Sequence, residues 1–451
     1  MSSGFISRLE SIVRANYRIN PELYDKHGIR KGLRNPDGTG VKAVLTGVSD
    51  VIGYERDEQG RKIDAHGKLL YRGINIKDLV MGFQKEGRFG FEETAYLLMF
   101  GQLPTKKELE EFQKEIIANR RLPHSFVENI ILPFPIPDIM NKLAINTLAL
   151  YRLDRNADDT SLQNTIRQCI SLLAKFPTII AYSYRTKIFQ EDQQASLHIH
   201  EPNHNPSTAV NFLSMIREDR QYSQLEVEVL DLLLVLHADH SGGNNSAFTL
   251  FSCASTGTDT YSCIAAAIGS LKGPLHGGAN KRVVTMIDEM SQNVNLNSDK
   301  SIVDYLVKIL RREAGDGTGK IYGLGHAVYT QSDPRAELLH EKAKELAMTS
   351  GHLEEFKLYE KVARLAPRVL SEFKGFDIKI APNVDFYSGF VYKCMGFPLD
   401  IYPALFAMAR IAGWSAHLIE QRANFSDNKL VRPASAYYGP TNVSYVPLDR
   451  R

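Results

Sequence analysis

Residues 399–422 read LDIYPALFAMARIAGWSAHLIEQR, a segment that is apolar on nearly every side and rich in alanine. A helix without a polar face has to be enclosed by other elements, and its small side chains let those neighbours come close. No run in the chain reaches the length of a membrane span, so protein must supply the enclosure. The exception inside the segment is Arg410. An unpaired guanidinium costs several kcal/mol to bury, so Arg410 must meet an anion. Two readings stay open: a structural salt bridge, since buried charges are normally paired, or a carboxylate substrate. Arg422 follows twelve residues later, which is about 18 Å along a straight helix. The two arginines of one chain cannot then grip the same small molecule. If both bind substrate, one must come from another subunit or the helix must break.

A chain of 451 residues with 43% hydrophobic and 24% charged residues can build a large core, in two domains or one. Its net charge of +2 argues against a dedicated nucleic-acid binder, which carries a basic stripe. Small anionic substrates need only a few local arginines. Cys169, Cys253, Cys263 and Cys394 are scattered, without CxxC spacing. They are read as small buried hydrophobes in a reducing compartment. The start, MSSGFISRLESIVRAN, lacks a signal-peptide apolar region, and Glu10, Glu22 and Asp25 disfavour a transit peptide. A cytoplasmic location is the expectation.

The pattern along the chain is mainly α. Residues 1–40 are polar, with one helical stretch near 5–15. The convincing β region is 41–73, where KAVLTGVSDVIGYE and KLLYRGI are separated by the turn-like DEQG and DAHG; a small antiparallel hairpin is expected. Thr105 and Glu108 form a capping box ahead of Leu109, Phe112 and Ile116 at helical spacing. Similar amphipathic stretches occupy 139–151, 162–175, 207–218, 225–237, 281–292, 301–313, 334–348, 353–373 and 399–422.

Glycine-rich punctuation gathers in HADHSGGNNS, KGPLHGGAN and AGDGTGKIYGLGH, with a further polar break at APNVDFYSGF. Loops of this kind carry function. A single histidine is most often structural, but His237, His240, His276 and His326 all lie beside small residues at element boundaries. A metal site is the first rival. His237 and His240 have i, i+3 spacing, but no HExxH-type carboxylate accompanies them, and HIHEPNH at 198–204 reads as a solvated loop. No metal is expected. A P-loop is the second rival. It fails because Ala314 stands at the first glycine position and Ile321 follows Lys320. Asp333-Pro334 reads as a helix cap and first helical residue. Arg335 gains nothing from the dipole at that helix start, so its position needs another cause.

Taken in order, LHADH (236–240), GPLHGGAN (273–280), GLGHAVYTQSDPRA (323–336), NVDFYSGFVYKCMGFP (383–398) and FAMARIAGW (406–414) resemble the citrate synthase family. Further matching stretches are LLYRGINIKDL, EETAYLLMFGQLP, AVNFLSM and RPASAYYGP, so the likeness covers most of the chain. The resemblance implies a two-domain helical fold. Residues 1–278 plus 396–451 would form the large domain, and 279–395 a small domain that closes over substrate. It implies condensation of acetyl-CoA with oxaloacetate, or of propionyl-CoA in a 2-methylcitrate synthase, with His276, His326 and Asp385 as catalytic groups. Oxaloacetate ligands would be His237, Arg335, Arg410 and Arg422, the last from the partner of a homodimer. The CoA adenine would lie along 320–327, with Lys320, Ile321, Gly323, Gly325, Ala327 and Asn383 as contacts. The CoA thioester is a substrate, and no cofactor is implied.

One departure bears on CoA. Many relatives carry basic residues just after the GHAV segment, where this chain has Thr330 and Gln331, so the phosphate contacts must come from elsewhere. Two other classes remain as rivals: a metallohydrolase built on His237 and His240, and a non-catalytic sensor of CoA or dicarboxylates.

Overall fold

The structure is a computed structural model that describes residues 3–134, 136–192, 195–424, 429–440 and 442–451. Among these residues the chain forms eighteen α-helical segments and one three-stranded antiparallel sheet. It divides into two compact units. One contains Met1–Ala43 with Val431–Arg451, and holds the expected first helix, Ser3–Asn16. The other is Val44–Leu430. No helix of the described residues is long and apolar enough to cross a membrane.

The sheet consists of β1 (Ser49–Arg56), β2 (Lys62–Tyr71) and β3 (Ile74–Asn75) in the order β1-β2-β3. The turn at Asp57–Gly60 forms as expected, closed by the Gly60 amide on the Asp57 carbonyl. The second expected turn, DAHG, does not form; those residues continue β2. The glycine has another purpose. A Cβ at Gly67 would lie 2.2 Å from the Ser332 carbonyl oxygen, and one at Gly53 would lie 2.2 Å from that of Val328. Both glycines let the 328–332 loop rest directly on the sheet. The ladder also shifts register between Ile52 and Tyr54.

The apolar segment forms the helix Tyr402–Ala423, preceded by a short 3₁₀ turn at Leu399–Ile401. Of its residues, only Glu420 and Ala423 escape burial. Its neighbours include Phe91–Phe100, Ile139–Leu150, Leu162–Glu191, Gln224–His237, Asn245–Ala254 and Thr260–Lys272. Two polar groups on its surface are bound by neighbouring elements: Trp414 Nε1 donates to Ser246 Oγ, and the Gly413 amide to the Ala238 carbonyl. Between 279 and 394 a second group of helices packs together. Val384–Cys394 lies against Pro334–Ser350 and Ala279–Asn293, and Leu353–Lys374 against Asp299–Leu310.

The capping box at Thr105 forms, with both reciprocal bonds, at the start of Lys106–Asn119. The helix expected at 162–175 runs on to Glu191, through Pro177. Proline removes one backbone donor, but the following turns are buried at Ile179–Ser183, so packing carries the helix onward.

Candidate active site

Four chain breaks come together next to the enclosed helix. The helix Gln224–His237 ends inside LHADH. His237 is fully buried, and its ring lies 4.4 Å from that of Phe406. Its carbonyl oxygen, rather than its ring, accepts from Arg410 Nε at 2.7 Å. The helix stops at His237, so His240 leaves the face that i, i+3 spacing would have given it. The His240 ring packs 5.0 Å from His326 and 5.7 Å from Tyr329, with a buried Nε2 that has no partner among the described residues.

Asp239 fixes this break. Its carboxylate accepts from the Ser49 hydroxyl and the Ser241 amide, and lies 3.2 Å from His417 Nε2. Burial alone would raise its pKa, but His417, Arg410 and Ser49 together bring it down to about 2. Gly413 gives it room: a Cβ there would sit 2.3 Å from Asp239 Oδ1.

His276 lies in the GPLHG turn. Its Nε2 is 3.1 Å from Asn244 Oδ1 and 3.2 Å from Ser246 Oγ, at the N-terminus of Asn245–Ala254. Burial, and then the charge of Arg410, lowers its pKa to about 4. Burial, Arg335 and Arg410 likewise push His237 well below the usual histidine range, and His240 follows for the same reasons. All three are neutral near pH 7.

His326 and Asp385 are joined by backbone. The Gly325 amide donates to the Ala381 carbonyl, and the Asn383 amide to that of Gly323, both at 2.9 Å. Gly323 sits at φ +77°, where a Cβ would strike Phe386. His326 Nδ1 accepts the backbone N–H groups of Val328 (3.0 Å) and Tyr329 (3.3 Å). An accepting Nδ1 puts the proton of the neutral ring on Nε2. Asp385 opens the helix Val384–Cys394, capped by Asn383. Its Oδ1 is closed off from solvent without a partner among the described residues. Burial raises the carboxyl to about 6; Arg335 and Arg410 oppose the rise and Asp333 adds to it.

The two arginines differ. Arg335 forms a two-point pair with Asp333 (Nε–Oδ1 3.0 Å, Nη2–Oδ2 2.8 Å), both buried. Asp333 is thus the cause that Arg335 needed at a helix start, besides being the helix cap and accepting the Val384 amide. Arg410 has no carboxylate in hydrogen-bond contact among the described residues. Its guanidinium stacks 4.7 Å over Phe406, and Nη1 is buried without a partner among the described residues. Burial lowers its pKa to about 10, so it stays charged. Arg422 lies elsewhere, donating to the Thr258 carbonyl at the far end of the same unbroken helix.

Beside these groups runs a cleft of about 620 Å³. Lys320, Ile321, Gly323, Gly325 and Asn383 line it; Ala327 does not and is exposed. The Asn383 side chain is already engaged, accepting from the Asp385 amide and donating to the Gly325 carbonyl. Thr330 and Gln331 bond to Asp64 on β2, pinning the loop to the sheet. HIHEPNH is a loop, as expected, with His198 and His200 both bonded to Glu218. Asp239, Asn244, Ser246 and Tyr329 were not singled out from sequence. Their only signal was proximity to the histidine motifs, and Asn244 also sits in a cap-like N-N-S run.

The family model for the citrate synthase C-terminal domain matches residues 37–434. The chain is 36% identical to the citrate synthase of a Synechocystis species over 437 residues, covering 96% of each. It is 32% identical to the 2-methylcitrate synthase of Shewanella oneidensis, over 85% of this chain and 92% of that one. Its fold matches the citrate synthase of Thermoplasma acidophilum, solved as a ternary complex with carboxymethyl coenzyme A and oxaloacetate. That TM-score is 0.73 at 26% identity, covering 93% and 99% of the two chains. The chain belongs to the citrate synthase family.

Proposed function

We propose that the protein condenses acetyl-CoA with oxaloacetate and hydrolyses the resulting thioester, giving citrate and CoA. The observation that carries this reading is a pair of incomplete charges in one buried cluster. Arg410 has an unpartnered cationic donor, and Asp385 has an unpartnered carboxylate oxygen, with neutral histidines around them. A dicarboxylate completes the first, and a weak carbon acid is the partner for the second.

In this mechanism Asp385 removes a methyl proton from the thioester. His276, whose Nε2 lies between Asn244 Oδ1 and Ser246 Oγ, donates a hydrogen bond to the forming enolate oxygen. His326 Nε2–H faces the keto oxygen of oxaloacetate and protonates it as the carbon–carbon bond forms. Arg410 and Arg335 hold the carboxylates, with His237 setting Arg410 through its carbonyl and Arg422 reaching in from the other subunit of a homodimer. Water then releases CoA from citryl-CoA. These steps use proton transfer and charge stabilisation, with no metal or redox cofactor.

Residues 279–395 act as the small domain that closes over both substrates. The homodimer is supported by exposed Ile145 and Leu148 on the helix Ile139–Leu150 and by exposed Phe134 beside it, an apolar face of the kind that seeks a partner. The free cysteines fit a reducing, cytoplasmic compartment.

The test is CoA release with oxaloacetate, run with acetyl-CoA and propionyl-CoA side by side, on wild type and Asp385→Ala. The wild type is expected to prefer acetyl-CoA, and the variant to lose about 10²–10⁴-fold in kcat. Equal rates in the two proteins would refute the mechanism. A large preference for propionyl-CoA would transfer the assignment to 2-methylcitrate synthesis, since one methylene is worth only about 1–3 kcal/mol of discrimination.

A further inference from the structure

The stretch 237–246 touches three parts of the site. The His237 carbonyl accepts from Arg410 Nε, the His240 ring lies against His326, and Asn244 and Ser246 flank His276 Nε2. Its path is not a relaxed one. Ser241 has φ +68°, in the left-handed region that residues other than glycine rarely adopt. Such a conformation persists only where its surroundings hold it.

The hold is Asp239. It is fully buried, and its Oδ2 gathers three donors: the Ser49 hydroxyl from β1, the Ser241 amide at 3.1 Å, and His417 Nε2 at 3.2 Å from the central helix. A carboxylate only accepts, so His417 carries a proton on Nε2. The His417 ring is buried too. Its Nδ1 lies 3.3 Å from Thr46 Oγ, and a Cβ on Gly242 would lie 3.6 Å from its Cε1. The backbone is fastened on both sides. The Tyr71 hydroxyl on β2 accepts the Asp239 amide at 3.2 Å, and the Gly413 amide donates to the Ala238 carbonyl at 3.1 Å. Charge points the same way. Burial lowers the Arg410 pKa, and Asp239 is the first charge to oppose it. Asp333 does this for Arg335 by direct pairing, whereas Asp239 leaves the Arg410 fork free for a carboxylate.

We propose that Asp239 and His417 are positioning residues for the dicarboxylate substrate: the pair sets the 237–241 turn so that the His237 carbonyl fixes Arg410 and the His240 ring stands beside His326. This rests on reading the cluster as an oxaloacetate site. Asp239 and His417 act through the turn, and their bonds are made to groups outside the proposed chemistry. Because the two share one hydrogen bond and one turn, their losses should not add when both are removed.

The experiment uses full-length Asp239→Ala, His417→Phe and the double variant. Kd for oxaloacetate and Kd for CoA are measured separately by calorimetry, and kcat and KM from CoA release. Asp239→Ala is expected to raise Kd for oxaloacetate about tenfold or more and to lower kcat/KM for oxaloacetate about 10²-fold, the loss that a misplacement of about 1 Å brings. Kd for CoA alone should stay near wild type. His417→Phe fills the ring's volume without a donor and should lose less, in the same direction. The double variant should fall no further than Asp239→Ala. Asp239→Asn keeps an acceptor and His417→Gln a donor, so both should recover part of the loss, and they carry the test if the alanine variant does not fold. Ile116→Ala, which removes a buried side chain from Lys106–Asn119, controls for general destabilisation: its thermal midpoint should drop while its Kd for oxaloacetate does not change. Unchanged oxaloacetate affinity in Asp239→Ala, or equal losses for oxaloacetate and CoA, would overturn the positioning role. A wild type that binds oxaloacetate without condensing it would refute the functional reading alone, and the variants' affinities would still decide the role of the pair. A wild type that does not bind oxaloacetate would overturn both.

Discussion

Asp385 links the geometry of single residues to a rate that depends on pH. Its carboxyl is raised to about 6, by burial first and by Asp333 against the pull of Arg335 and Arg410. As the proposed general base, Asp385 works only when ionised. kcat for CoA release is therefore expected to fall as pH drops through about 6, and to level off above it. A pH–rate profile checks this; an acid limb near the ordinary Asp value of about 4 would contradict the environment described. His276 adds no second acid limb in that window, because it is already neutral above about 4. Much at this scale was readable in the motifs: His276, His326, Asp385, Arg335 and Arg410 belong to one cluster. What the motifs hid was the division of labour. Arg335 has its own anion in Asp333, while Arg410 does not. His237 holds Arg410 through its carbonyl, while its two buried ring nitrogens have no partner among the described residues. Sequence spacing tells which residues share a loop, and leaves open which atoms point inward.

At the scale of elements, one face of the central helix joins it to the site. Arg410, Gly413 and His417 lie along one face of Tyr402–Ala423 and meet His237, Ala238 and Asp239 in turn. Gly413 is the closest approach. In Gly413→Ala the new Cβ would meet Asp239 Oδ1 at 2.3 Å and the Ala238 carbonyl oxygen at 2.4 Å. The helix must shift, so a loss of about 1–3 kcal/mol is expected, read from urea unfolding, with a fall in kcat because Arg410 and the HADH segment move together. A neutral Gly413→Ala would mean that the contact has slack. Glycine also explains the misread turn in β2. DAHG has turn composition, yet Gly67 is there because the Ser332 carbonyl lies where a Cβ would be, and no local rule reports a neighbour from residue 332. The helix expected over 162–175 runs on through Pro177 because of contacts that local rules do not report. The local cost of proline is real, but the burial of the next turn outweighs it.

For the whole molecule, the spacing of Arg410 and Arg422 on one unbroken helix yields a test. Arg422 donates to the Thr258 carbonyl at the far end of that helix. If it serves the other subunit, Asp385→Ala and Arg422→Ala chains should complement each other. In a mixed dimer one site has both defects and the other has none. Random mixing after co-refolding should therefore restore about a quarter of wild-type activity from two inactive parents. No rescue would place Arg422 outside the reaction or within its own subunit's site. Exposed Ile145 and Leu148 mark where such a dimer would close.

The sequence by itself determined that this chain is mainly helical, that 399–422 would be enclosed, and that Thr105 and Asp333 would begin helices. Each of these follows from local rules: periodicity, caps and the cost of burying charge. Only the tertiary structure decided that Gly53 and Gly67 make a bed for the His326 loop, and that Asp333 neutralises Arg335 while Arg410 keeps an open donor. These outcomes depend on atoms brought together from distant parts of the chain. Packing sets such contacts, and a pattern of neighbours along the sequence carries no record of them.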